Sequence, residues 1–277
     1  MTLPADLQFS QASLQDFVDC PRRFHLRYML KVAWPAVEAE PLEEHERHMQ
    51  LGSAFHRMVQ QQLLGLPEAR LARMAADPDL ERWWRNYSVY RPAEIIPDAR
   101  RYPEITLTAA LAGRRLLAKY DLVVVEPGSR AIIFDWKTSP ARPKPLTLQH
   151  RLQTRVYRYL LTCAGAHLNA GQPFAPAQIA MIYWFAEYPE APVRLPYDAT
   201  QYHADEHYLA DLIEQIMALE DFAPTDDERH CVYCPYRSYC DRGIQAGNLH
   251  DDENEIAEDV VELRLGFDFE QIAEIAF

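Results

Sequence analysis

The spacing of hydrophobic positions changes along the chain, and the changes divide it into elements. From Ser10 to Leu30 the apolar residues Leu14, Phe17 and Val18, then Phe24, Tyr28 and Leu30, predict helix, broken at Cys20-Pro21. Pro21 suits the first position of a second short helix, where an amide hydrogen would lack a partner anyway. Residues 34–48 are rich in Pro and Glu and read as a loop; helical spacing returns over Gly52–Leu64 and Leu80–Tyr90. At Tyr102 the period shortens to two. Glu104-Ile-Thr-Leu-Thr alternates as a strand does, Ala112-Gly113-Arg114-Arg115 turns, and Leu116–Val125 predicts a second strand. Pro127-Gly128-Ser129 turns again before a third strand, Ala131–Thr138. After a Pro-bearing loop at 140–145 come a helix (Thr147–Cys163), a fourth strand (Ala177–Ala186) and another helix (Gln201–Leu219). This order predicts an α/β fold, a mixed sheet with an N-terminal helical layer.

Composition and charge narrow the function. At 48% hydrophobic and 25% charged, the 277 residues are those of an ordinary globular protein. No apolar run approaches the roughly 18 residues of a membrane span, and no signal peptide precedes the first helical segment, so a cytoplasmic protein is expected. The net charge of −13 excludes coating nucleic acid by bulk electrostatics. Residues 251–277 hold ten acids against the single base Arg264, however, so most of that charge is a tail. Arginine dominates the basic side, with only four lysines among 28 Lys and Arg, and its planar fork suits phosphate.

The densest chemistry falls on two strands. Lys119-Tyr120-Asp121 is followed, one turn later, by Asp135-Trp136-Lys137. Asp135 and Lys137 are two apart and leave the same strand face. A short hairpin brings Asp121 alongside Asp135, and two neighbouring carboxylates call for a proton or a hard divalent cation such as Mg²⁺. A surface Asp–Lys pair is the plainer reading, but the Ile132-Ile133-Phe134 run points to a buried strand where lone charges are costly. On the following helix Gln149, Gln153 and Tyr157 form one stripe, Leu148, Leu152, Val156 and Leu160 an apolar one, and Arg151, Arg155 and Arg158 a basic one. A basic stripe beside Gln and Tyr is suited to a sugar–phosphate strand; a solvated helix face explains it too. His56 could add a neutral imidazole ligand.

Five cysteines in a leaderless chain do not suggest disulfides. Cys163 sits in an apolar run and reads as a small buried hydrophobe. Cys231, Cys234 and Cys240 form C-x2-C-x5-C, and Cys20 supplies a fourth thiolate. Spacing leaves zinc and an iron–sulfur cluster both open, structural zinc being the commoner.

The sequence Gly52-x3-His56, Glu104, Asp121, Asp135-x-Lys137, Gln153-x3-Tyr157 resembles the PD-(D/E)XK nuclease superfamily, and within it the RecB-like branch that includes four-cysteine CRISPR-associated exonucleases. The opening Ser13-Leu14-x5-Cys20-Pro21-x2-Phe24 and the closing cysteine triad match that branch as well. The resemblance implies a restriction-endonuclease-like αβββαβ core in one nuclease domain, residues 1–250. That domain would comprise a helical part (10–90), the core (100–220) and an iron–sulfur segment (231–240) joined to Cys20. It further implies that His56, Asp121, Asp135 and the Trp136 carbonyl bind Mg²⁺ or Mn²⁺, with Glu104 at a frequent acidic position. Lys137 would position the attacking water, and Gln153 and Tyr157 the substrate strand. Cys20, Cys231, Cys234 and Cys240 would hold a structural [4Fe–4S] cluster. The expected activity is metal-dependent DNA hydrolysis, as an exonuclease on single strands or ends, with protein partners in repair, recombination or CRISPR adaptation. Its rival is a non-enzymatic DNA-binding or adaptor subunit that keeps fold and cluster. The acidic tail, 251–277, is expected either to pack on the core or to lie over Arg151, Arg155 and Arg158 and compete with phosphate.

Overall fold

One strand, β3 (Arg114–Glu126), organises the sheet in a computed structural model that describes residues 7–32, 40–95, 99–231 and 234–242. The acidic tail and its expected cover over the arginines lie outside these residues. Antiparallel β2 (Arg100–Leu111) runs along one side of β3, from Leu111 opposite Arg114 to Arg100 opposite Val125. The other side is shared. Two-residue β1 (Gln8–Phe9) pairs in parallel with Arg115 and Leu116, and β4 (Arg130–Lys137) pairs antiparallel from Glu126 to Leu122. Beyond β4 lie β5 (Ile179–Phe185), parallel to it, and the antiparallel edge strand β6 (Val193–Pro196). The sheet is mixed, as the alternation predicts. The hairpin turns fall at Gly113 (φ +71°) and Gly128 (φ +77°), a backbone region closed to most side chains. β1 and β6 are too short to display a period, which is why alternation does not reveal them.

Helices cover both faces. On one lie α1 (Gln11–Asp19), α2 (Pro21–Phe24) with the π-turn His25–Met29, α6 (Pro145–His150), α7 (Leu152–Ala164) and α8 (Ala199–Ala218). Their Leu14, Phe24, Val156, Leu160 and Ile213 bury against Leu116, Tyr120, Ile133 and Met181. On the other lie α3 (Glu40–Leu63), α4 (Glu68–Ala72) and α5 (Pro78–Val89). There Phe55, Trp83, Trp84 and Tyr87 meet Phe134, Trp136 and Trp184, with Phe55 stacked on Trp184 at 5.9 Å. The expected N-terminal helical layer is therefore split between the two faces. The starts are locally encoded: Ser10 and Ser13 cap each other at α1, Asp77 precedes Pro78 at α5, and Asp198 accepts from the Gln201 amide at α8.

Three expectations need correction. Residues 40–48 belong to α3 and not to a loop, because a proline in the first turn costs no helical hydrogen bond and the glutamates are good helix formers. The helix expected over Thr147–Cys163 is two, broken at Arg151, whose backbone is extended (φ −61°, ψ 142°). Thr154 Oγ donates to the Leu148 carbonyl at 2.6 Å and satisfies the exposed end of α6. Cys163 is exposed, its sulfur 3.6 Å from the Tyr202 hydroxyl. No helix among the described residues is long and apolar enough to cross a membrane.

Candidate active site at the end of β3 and β4

The pairing of the strands sets the acidic residues in a row. Continuing the β3–β4 register one residue past Leu122 and Phe134 puts Asp121 opposite Asp135. The β2–β3 register puts Glu104 opposite Asp121, and Asp135 pairs with Tyr183 of β5. At this row the regular ladders lapse: neither Glu104 with Asp121 nor Asp121 with Asp135 is a paired couple. The face pattern slips there too. Tyr102 and Ile105 of β2 pack on the same face, as do Tyr120 and Val123 of β3, so each strand carries one extra residue between them. Glu104, at φ +55°, lies inside the slip. Between the pairing of β1 and that of β4, moreover, no strand among the described residues lies on that side of residues 117–121 of β3. The site opens in this gap.

Asp121 is re-aimed by the slip. Its Oδ2 accepts the Trp136 amide at 2.8 Å, in place of a ladder bond, and its Oδ1 lies 3.1 Å from His56 Nδ1 on α3. Amide and carbonyl of one strand residue point the same way, so the Trp136 carbonyl also turns toward the gap. Asp135, only 3% exposed, is served from the opposite face. Gln153, in the first turn of α7, donates from Nε2 to Asp135 Oδ1 at 2.7 Å. Lys137 Nζ donates to Gln153 Oε1 at 3.1 Å, lies 3.0 Å from Asp135 Oδ2, and sits over the Tyr183 ring. Helices from both faces of the sheet thus converge on one pair of carboxylates.

Their electrostatics diverge. Burial alone would raise the Asp121 pKa, but the His56 charge and hydrogen bond, the Trp136 amide and Lys137 together hold it below the usual carboxylate range. Burial pushes Asp135 up, Lys137 pulls it down, and the Asp121 charge pushes it up again, leaving it at about 6. Burial would lower His56, and Asp121 outweighs it, so the imidazole is held above its ordinary value. Opposite shifts on adjacent carboxylates mark groups set for different proton states.

Among the described residues no three His, Cys, Asp or Glu side chains close on one point in metal-holding geometry. His56 and Lys137 supply the counter-charge instead. The donor set nevertheless fits a hard divalent cation: two carboxylates, an imidazole and a carbonyl face the gap, all of them hard oxygen or nitrogen donors.

A family model of the PD-(D/E)XK nuclease superfamily matches residues 8–241. The chain belongs to that superfamily. Its fold is similar to the crystal structure of a provisionally named exonuclease from Eubacterium rectale (10% identity, TM-score 0.50, 82% of this chain and 91% of that one covered). A crystal structure of the protein SSO0001 is similar at 14% identity and TM-score 0.42, with 86% and 87% covered. No curated protein matches.

In this nuclease-superfamily chain His56, Asp121, Asp135, Lys137 and Gln153 come together as the sequence predicts. Glu104 stands in the row but pairs with Lys119 at 2.8 Å. Tyr157 points away from the lysine: its hydroxyl donates to the Lys119 carbonyl at 2.8 Å and its ring packs on Tyr120, so it closes part of the gap beside β3. The expected Gln149–Gln153–Tyr157 stripe is interrupted by the break at Arg151. The basic stripe is corrected as well. Arg158 is 1% exposed, held by the Pro196 carbonyl at 3.0 Å and Asp205 at 3.4 Å over the Tyr197 ring, because its position on α7 faces the core beside α8. Arg155 pairs with the same Asp205 at 3.2 Å. Sequence reading did not find Tyr183 and Thr154. The one available signal was a tyrosine inside a buried strand, whose hydroxyl must find a partner.

Cys20 is buried at the α1–α2 junction; the short 3₁₀ turns Glu228–Cys231 and Arg237–Cys240 carry Cys231 and Cys240, and Cys234 lies between them. Burial pushes the Cys234 and Cys240 thiols up, and both also feel the charges of Cys20 and Cys231. Arg242 Nη1 lies 3.0 Å from Cys231 Sγ.

Proposed function

We propose that this protein is a Mg²⁺- or Mn²⁺-dependent deoxyribonuclease that acts on single-stranded DNA or DNA ends as an exonuclease, with a [4Fe–4S] cluster as structural support. The observation that carries the reading is the Asp135–Gln153–Lys137 triangle set beside Asp121 at the gap in the sheet. Asp121, Asp135, His56 and the Trp136 carbonyl would hold the cation, with Glu104 beside them. When bound, such an ion polarises a phosphoryl oxygen and lowers the pKa of a water. The chain supplies the rest. Gln153 fixes Lys137 by accepting from its ammonium while donating to Asp135. So held, Lys137 orients the attacking water and offers positive charge to the phosphoryl oxygens as negative charge builds on them. Burial of Asp135 on the face that Ile133 and Tyr183 share strengthens each of these interactions. Four thiols drawn from both ends of the described chain support the cluster reading, and their chemistry suits iron.

Labelled single- and double-stranded DNA, incubated with Mg²⁺ or Mn²⁺, tests the activity. Shortening from one end of single strands is the expected result. A folded, metal-loaded protein that cuts neither DNA nor RNA would leave the adaptor reading in its place.

A further inference from the structure

The catalytic lysine and glutamine rest on a second, fully buried pair. Thr154 and Tyr183 are both 0% exposed. The Thr154 hydroxyl has one proton, and it goes to the Leu148 carbonyl at 2.6 Å, where only a donor can serve. Tyr183, 2.7 Å from Thr154 Oγ, must therefore be the donor of that bond. The same phenol proton also reaches Gln153 Oε1 at 3.4 Å, the weaker branch of a shared bond; that oxygen accepts from Lys137 as well, and the Lys137 ammonium sits 5.7 Å from the centre of the Tyr183 ring. The Gln153 amide can face only one way in this setting, with its NH₂ on the Asp135 carboxylate and its oxygen on the ammonium. A continuous chain of contacts thus leads from the broken helix at Arg151, through Thr154 and Tyr183, to the groups beside the reacting phosphate.

We propose that Thr154 and Tyr183 are positioning residues for the nuclease reaction: they use the α6–α7 junction to set the Gln153 amide and, through it, the direction of Lys137. The argument is geometric. The break frees the Leu148 carbonyl, Thr154 satisfies it, and the resulting orientation of the threonine oxygen fixes the phenol that borders Gln153 and Lys137. A one-ångström displacement of such a shell costs rate more than binding.

This inference rests on the proposed nuclease reading, and two readouts separate their failures. The first is kinetic. Thr154→Val and Tyr183→Phe keep volume and ring, and should lower kcat by about tenfold to hundredfold with KM within about twofold. Thr154→Ser keeps the hydroxyl and should restore kcat. The second needs no turnover: the Gln153 side-chain amide, identified by its loss in Gln153→Ala, is expected as a sharp, slowly exchanging NMR signal. It should broaden and exchange faster in Thr154→Val and Tyr183→Phe, but not in Thr154→Ser. An unchanged kcat and amide signal in folded Thr154→Val and Tyr183→Phe would overturn the proposal, as would loss in Thr154→Ser equal to that in Thr154→Val. If the wild type cuts nothing, the nuclease reading fails, and the amide signal alone decides the positioning role.

Discussion

The carboxylate site and the cysteine segment are built in opposite ways. Asp121 and Asp135 are placed by the register of long, buried strands, so their juxtaposition is a property of the whole sheet. Among the described residues of the cysteine segment the regular structure is two 3₁₀ turns. The segment is held by scattered contacts: the Arg22 amide on the Ala223 carbonyl at 3.2 Å, Phe222 stacked on Phe24 and His25, and the Tyr236 hydroxyl on the Val32 carbonyl at 3.0 Å. Ion pairs among Arg23, Asp16, Asp19 and Arg27 brace the helices beneath it. The lesson is that strand register holds the first site independently of any one side chain, whereas the second rests on side-chain contacts, to which the proposed cluster would add.

Lys137→Ala is the sharpest way to probe the first half of that contrast. Cleavage should fall by about a thousandfold or more while DNA affinity stays near wild type, since in the proposed reaction the lysine acts on charge that develops on the phosphate; loss of the Asp135 counter-charge should lower stability by about 1–3 kcal/mol. A comparable loss of affinity would mean that Lys137 only binds phosphate. Arg158→Ala probes stability instead. It removes the buried one of the two arginines on Asp205, leaving Arg155 at 3.2 Å, and should cost about 1.5–3 kcal/mol by chemical denaturation. Arg151→Ala should weaken DNA binding in a salt-dependent way. Cys20→Ser and Cys231→Ser probe the cysteine segment: anaerobically purified protein should be brown, and each change should lower bound iron and sulfide equally. Each should also reduce the melting temperature by about 5 °C. Colourless protein with one tightly held zinc would replace the cluster by zinc.

The smallest effect concerns Asp135 itself. An unfolded aspartate releases its proton near about 4, but the folded state keeps this one to about 6. Between those values the folded state binds more protons than the unfolded one, so stability falls as pH rises and the full cost is present above about 6. Asp135→Asn should then stabilise the metal-free protein by about 1–2 kcal/mol at pH 8 and by nothing below pH 4. Equal melting curves at pH 8 would show that Lys137 fully offsets the burial of the charge.

Much of this was legible in the sequence because strand alternation is a local signal. The run Ala131–Thr138 and the hairpin before it suffice to bring Asp121 to Asp135, and the spacing of Gly52 to His56 sets the histidine on a buried helix face. What escaped were features fixed by tertiary contacts. The kink at Arg151 lies in an unbroken helical pattern and exists because Thr154 and Tyr183 compensate it. Arg158 looks like any other surface arginine until α8 supplies Asp205. Tyr157 keeps its helical position, yet the gap beside residues 117–121 gives its hydroxyl a backbone carbonyl to bind.

The contacts between the two ends of the described chain also set an order of assembly. β1, α1 and α2 are synthesised before the rest of the described chain, and Phe222, Ala223 and Tyr236, which also pack on them, follow some 200 residues later. At about 5–20 residues per second, the leading helices wait roughly 10–40 s for those partners. Strands β2 to β5 and their carboxylates are complete before then. The leading elements thus dock in two stages: first on β3, through β1 and the packing of Leu14 and Phe24 on Leu116 and Tyr120, and last on Phe222, Ala223 and Tyr236.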